Sequence, residues 1–112
     1  MRKIDFTIEF LEFLEASDQN VKTKIDYVLD ILASQSVINT KIAKKLTNEF
    51  LYEIRIQVNN EFRILCFTVD HQNISQATQI IFLNAFLKKS TKDYDKQIKK
   101  ALKILERWTD QN

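Results

Sequence analysis

Not one glycine and not one proline occurs among the 112 residues, and this double absence limits the chain more than anything it contains. Proline presets φ and glycine takes positive φ without steric cost, so the two usually punctuate a fold. Without them, tight turns fall to Asn and Asp, the other residues that tolerate the left-handed region. Asn20, Asn39, Asn48, Asn59, Asn60 and Asn73 each stand where a boundary is expected. The same absence excludes the glycine-rich loops that let a backbone close on phosphate, and with them Rossmann and Walker nucleotide sites.

Between these breaks the hydrophobic period alternates. Residues 3–9 alternate apolar and polar and predict a strand. Phe10, Phe13 and Leu14 switch to helical spacing in a short helix that stops near Ser17-Asp18. Val21, Ile25, Val28, Leu29 and Leu32 predict a longer helix, with Asp18 or Asn20 as N-cap. Ser34 to Asn39 reads as a loop, and Lys41–Leu46 as one or two further helical turns. From Phe50 the period returns to two. Leu51–Val58 and Glu61–Val69 predict a hairpin about Asn59-Asn60, and Gln79–Leu87 a third strand reached through Asp70–Gln76. Asp93 is expected to cap a last helix, with Tyr94, Ile98, Ala101, Leu102, Leu105 and Trp108 along one face. The order predicts one α+β domain over residues 1–112, without linkers or repeats.

The hairpin register decides where the charges go. A two-residue loop would pair Ile56 with Arg63 and Glu53 with Cys66, setting charge against the apolar face. A three-residue loop with an Asn in the left-handed conformation instead pairs Ile56 with Phe62, Ile54 with Ile64 and Tyr52 with Cys66. One face then becomes uniformly apolar, and Arg55 falls opposite Arg63 on the other. Two arginines so placed repel. The pair persists if Glu53 or Gln57 bridges it, or if it grips an anion with its planar guanidinium groups.

The net charge of +2 hides a division. From Lys88 to Trp108 eight basic residues face three acidic ones, leaving that segment at +5 and the rest of the chain at −3. Lys96, Lys99, Lys100, Lys103 and Arg107 line the outer face of the last helix. A basic C-terminal quarter on an acidic body suits a polyanion or an acidic protein partner. Cys66 is alone, so no internal disulfide forms, and its place in an apolar run reads as a small buried residue. One His and one Cys, without metal-ligand spacing, imply no metal, and nothing implies a cofactor. No apolar run approaches the roughly 18 residues that span a bilayer, and Asp5 and Glu9 interrupt any signal-like stretch. The expected compartment is the cytoplasm, with no membrane partner.

Four segments carry a resemblance. Lys44-Lys45-Leu46, Leu51-Tyr52-Glu53-Ile54-Arg55-Ile56, Phe62-Arg63-Ile64-Leu65 and Phe86-Leu87-Lys88-Lys89-Ser90 recur in order from about Lys41 to Trp108. Together they resemble the HigB-type group of RelE/ParE toxins, whose members show a Leu-aromatic-Glu-Leu-Arg strand, an aromatic-Arg-Val pair and a Phe-x-Lys-Lys-Thr stretch before a terminal helix. The resemblance implies a RelE-like antiparallel sheet with N-terminal helices on one face, a C-terminal helix, and a basic groove on the other face. It implies an mRNA endoribonuclease acting at the ribosome and inhibiting translation, neutralised by a cognate antitoxin encoded beside it, a helix-turn-helix protein. By position, Arg55, Arg63, Lys88 and Lys89 match the family's catalytic cations. Lys44 and Lys45 match a less uniform basic spot, and Lys92 and Lys96 extend it as RNA-binding residues, with Glu53 as an orienting group or base. Two departures stand out. Many relatives have His-Gly where this chain has Asn84-Ala85, and Pro where it has Tyr94, a residue suited to core packing, stacking or proton transfer. Two other readings share these features: a ParE-like gyrase inhibitor, and an inactive module that binds an antitoxin but catalyses nothing.

Overall fold

A single asparagine turns the centre of the sheet. The computed structural model describes residues 1–47 and 50–111, and among them Asn59 alone among non-glycine residues takes a positive φ, 59°. It joins β3 (Leu51–Val58) to β4 (Asn60–Thr68). The register follows the apolar pattern: Ile56 faces Phe62, Ile54 faces Ile64, Tyr52 faces Cys66, and Arg55 faces Arg63. The boundary expected at Asn48 lies outside the described residues.

Three more strands complete the sheet: β1 (Lys3–Phe6), β2 (Ala43–Lys45) and β5 (Gln79–Leu87). The spatial order is β1-β5-β4-β3-β2. The run from β2 to β5 is antiparallel, but β1 lies parallel to β5, Lys3 opposite Gln79 and Phe6 opposite Phe82, so the sheet is mixed. The α+β class holds with this one addition to the expected antiparallel order. The first strand also ends earlier than its alternation suggested. Thr7 caps the next helix by accepting from the Phe10 N–H, and donates its hydroxyl to the Leu83 carbonyl. The expected helical turns over Lys41–Leu46 are strand β2 instead, because the free edge of β3 takes up its backbone groups and Ala43 is buried.

Helices α1 (Ile8–Ala16) and α2 (Gln19–Ser34) cover one face, with Asp18 capping α2 through the Val21 N–H. Phe10, Val21, Ile25, Val28 and Leu32 pack there on Ile54, Ile56, Ile64, Cys66, Ile80 and Phe82. Burial pushes the Cys66 thiol up, as suits an inert core residue. Helix α3 (Thr91–Gln111) lies on the opposite face, its stripe of Tyr94, Ile98, Ala101, Leu102, Ile104, Leu105 and Trp108 packed on Leu51, Leu65, Ile81, Leu83 and Phe86. It starts two residues before Asp93. Ser90 caps it, accepting from the Asp93 N–H, and Asp93 sits in the first turn, where a carboxylate favours the helix dipole.

Loops without glycine or proline are held by side chains. Between β4 and β5 the Asp70 carboxylate accepts from the Thr78 N–H, the Thr78 hydroxyl and the Gln79 N–H, and Asn73 accepts from the Ser75 N–H. The Tyr52 hydroxyl accepts from the Ile74 N–H and donates to the Gln72 carbonyl, fixing the same loop to β3. Among the described residues no helix is long and apolar enough to cross a membrane.

Candidate functional site

Strand alternation lays out the α3-facing side of the sheet as a grid. Nearest the hairpin tip run Gln57, Glu61 and Lys88. Next come Arg55, Arg63 and Phe86, and then Glu53, Leu65 and Asn84. Lys44 of the edge strand β2 extends the last row beside Glu53. Leu83 and Asn84 both face α3, because a bulge opposite Leu65 and Cys66 spends one extra residue of β5 there.

Arg63 is the hub. Its side chain is 5% exposed, and two carboxylates flank it: Glu53 Oε1 at 3.3 Å from Nε, and Glu61 Oε2 at 3.3 Å from Nη2. Its Nη1 donates to its neighbour's carbonyl, that of Phe62, at 3.2 Å. The Nε–carboxylate distance suits an ion pair but not an aligned hydrogen bond, which leaves that buried N–H unpartnered, like the buried Oδ1 of Asn84. Arg55 donates from Nε to the same Glu53 oxygen at 3.0 Å, yet its side chain is 45% exposed. Glu53 therefore bridges both arginines, one of the two arrangements the register allowed.

The other oxygen of Glu53 accepts from the Tyr94 hydroxyl, so the first turn of α3 is tied to the sheet. Tyr94 also packs edge-on against Phe86, with ring centroids 5.5 Å apart, and so serves the core and the polar cluster together. Burial, then the hydrogen bond and charge of Glu53, hold the Tyr94 hydroxyl well above the ordinary phenol range, making it a donor and not a base at neutral pH. Burial also pushes the Glu53 carboxyl up. Hydrogen bonds from Tyr94 and Arg55 and the charges of Arg63 and Arg55 outweigh it, so the carboxyl lies below its ordinary value and stays ionised.

Lys88 completes the cluster. Its backbone N–H donates to the Glu61 carbonyl at 2.8 Å, and its Nζ lies 3.9 Å from Glu61 Oε2. Lys89 is exposed just beyond. The remaining basic candidates are dispersed. Lys45 faces Tyr52, on the other side of β2 from Lys44, and borders a groove with Phe50, Phe67, His71 and Leu105. Lys92 is exposed in the first turn of α3. Lys96 lines a separate groove with Lys99, Lys100, Lys103 and Arg107, where Arg107 holds Glu9 of α1 through two bonds of 2.6 and 2.7 Å. His71 is an exposed loop residue whose Nδ1 accepts from the Asn73 N–H. Among the described residues no group of three His, Cys, Asp or Glu side chains is placed to hold a metal ion.

The sequence reading passed over Glu61. Its spacing of two from Arg63 put both on one face, and that was the available signal. Chemically, the cluster offers one open guanidinium, two lysines at the sheet's tip, and a buried cation behind them: a surface able to take an anion with paired hydrogen bonds.

A family model described as phage derived protein Gp49-like matches residues 12–106. No curated protein matches the chain in sequence. Among solved structures, the intact E. coli RelBE toxin-antitoxin complex contains a chain at TM-score 0.58 and 14% identity, covering 80% of this chain and 100% of that one. A free, doubly substituted form of the E. coli toxin RelE matches at TM-score 0.60 and 12% identity, covering 88% and 95%. The isolated E. coli RelE toxin matches at 0.53 and 12%, covering 88% and 97%. At such identities the likeness establishes a shared fold, and it does not single out the HigB-type branch.

Proposed function

The chain belongs to the phage-derived Gp49-like family and has the RelE fold, and from that premise we propose that it is the toxin of a toxin–antitoxin pair, a metal-independent ribonuclease that cuts mRNA. The observation that carries this reading is the cation cluster at the tip of the sheet, where half-exposed Arg55 and Lys88 flank buried Arg63 beside the start of α3.

RNA supplies its own nucleophile. The 2′-oxygen attacks the adjacent phosphorus as its proton passes to solvent, the bond from phosphorus to the 5′-oxygen breaks, that oxygen takes up a proton, and the products are a cyclic phosphate and a free 5′-hydroxyl. The protein's task is to orient the backbone and to meet the charge that builds on the non-bridging oxygens. Arg55 contacts those oxygens, with the fixed positive charge of Arg63 behind it. Lys88 or Lys89 protonates the leaving oxygen or binds a flanking phosphate. Glu53, held ionised by two arginines and a tyrosine, orients Arg55 in this scheme. Lys44, beside Glu53, and Lys45, Lys92 and Lys96 hold more distant stretches of RNA, in keeping with action on the ribosome. The partner is an antitoxin, as in the RelBE complex whose toxin shares the fold.

Induced expression in a bacterial host, with mapping of mRNA 5′ ends, tests the proposal. Growth arrest with new cuts inside translated codons is expected. Arg55→Ala should lower cleavage by about 10²–10³-fold, the usual cost of one stabilising donor. Arrest without cuts would point to another target such as gyrase, and no arrest would leave a module that only binds its antitoxin. Either result overturns the ribonuclease reading.

A further inference from the structure

The two carboxylates on Arg63 are not equivalent. Glu53 is buried between two arginines and Tyr94. Glu61 has a side chain 48% exposed, and a single oxygen, Oε2, spans Arg63 Nη2 at 3.3 Å and Lys88 Nζ at 3.9 Å. The backbone builds this bridge, since the Lys88 N–H binds the Glu61 carbonyl and so sets the two side chains across from one another. One oxygen between a guanidinium and an ammonium, at the open end of a cation cluster, has the charge and bonding of a phosphate oxygen in the same place. Half-exposed itself and held by contacts of 3.3 and 3.9 Å, the Glu61 carboxylate is the partner of this cluster that can be exchanged for an anion from solvent.

We propose that Glu61 is a built-in competitor for an anion site formed by Arg63 and Lys88: a phosphate group displaces its carboxylate, which swings into solvent. On the ribonuclease reading, on which the choice of ligand rests, that phosphate is a phosphodiester of the bound RNA. Glu61 then sets affinity and selectivity, since weakly bound anions fail to evict it. Free inorganic phosphate shares the chemistry and probes the site alone.

The test uses the intact chain as wild type, Glu61→Gln, Lys88→Ala and Glu12→Gln. Glu12 is exposed on α1, across the sheet, so its substitution removes the same charge without touching the site. Thermal melts with increasing inorganic phosphate read anion binding to the folded state. Phosphate affinity should rise about fivefold in Glu61→Gln, the scale of one half-exposed competing carboxylate lost, and change little in Glu12→Gln. Lys88→Ala should lose the phosphate response. Equal responses in wild type and Glu61→Gln overturn the proposal, as does an equal gain in Glu12→Gln, which would mark net charge as the cause. RNA cleavage by the same proteins reads the parent proposal separately. A fivefold phosphate effect without any cleavage keeps the anion site and discards the ribonuclease, whereas cleavage without the phosphate effect does the reverse.

Discussion

Among the described residues two arginines are buried, and they are held in opposite ways. Arg2, 8% exposed, gives its guanidinium to five backbone carbonyls, those of Leu32, Gln35, Ser36, Ile74 and Ser75, at 2.5–3.0 Å. It ties the chain's second residue to the end of α2 and to the loop before β5, and its charge lies near a helix C-terminus, where the dipole favours a cation. Arg63, 4% exposed, is held instead by the carboxylates of Glu53 and Glu61. Carbonyls of ordered backbone cannot be exchanged for another ligand without unfolding what carries them. Carboxylates on side chains can. Satisfaction by neutral backbone makes a staple, and satisfaction by mobile anions makes a site.

The largest expected effect comes from breaking the staple. Arg2→Ala strands five acceptors, two of them in buried bonds, and should cost about 3–5 kcal/mol in urea or thermal unfolding, or prevent folding outright. Arg2→Lys, with a point charge that cannot span them, should recover only part of that loss. A result within about 1 kcal/mol of wild type for Arg2→Ala would erase the distinction. Next comes the site. Glu53→Ala leaves Arg63 with one half-exposed carboxylate and removes the acceptor of the Tyr94 hydroxyl, and should cost about 3 kcal/mol. Adding Arg63→Met should return most of it, because the penalty lies in the uncompensated charge. Non-additivity in a double-mutant cycle is the measurement.

The smallest effect concerns pH and separates the two arginines most cleanly. The folded Glu53 carboxyl titrates below its ordinary value, so its contribution is present above that value and is lost as pH falls toward the folded one. Stability of the wild type should therefore decline between about pH 5 and pH 3, and the decline should be shallower in Glu53→Gln. Glu9, held low by Arg107, adds a slope of the same sign to both proteins. Arg2→Lys should keep the wild-type slope, since among the described residues the partners of Arg2 are backbone carbonyls. Equal slopes in wild type and Glu53→Gln would remove Glu53 from the account.

How far each feature was legible depends on what its partners are. The hairpin register was legible because one residue of slip would have driven Arg63 into the apolar face, and the positive φ fell on Asn59 because no glycine was there to take it. The stripe of α3 was legible from period alone. Strand β2 was not, since three residues carry no period and Ala43–Lys45 reads equally as a turn of helix. Nor was the pairing of β1 with β5, which depends on segments 76 residues apart. Arg2 left no trace because carbonyls are the same at every position. The Glu53–Arg63 contact followed from strand geometry, but the Tyr94 bond did not, as it depends on how α3 docks.

The parallel pairing of β1 has a consequence in time. Lys3 finds its partner only at Gln79 and Phe6 only at Phe82, so during synthesis the first strand waits, with α1 and α2 already made, until most of the polypeptide has followed. Folds dominated by such distant contacts close slowly compared with those built from neighbours in sequence. Arg2 and the loop it clasps share the delay, since Ile74 and Ser75 are made just before β5.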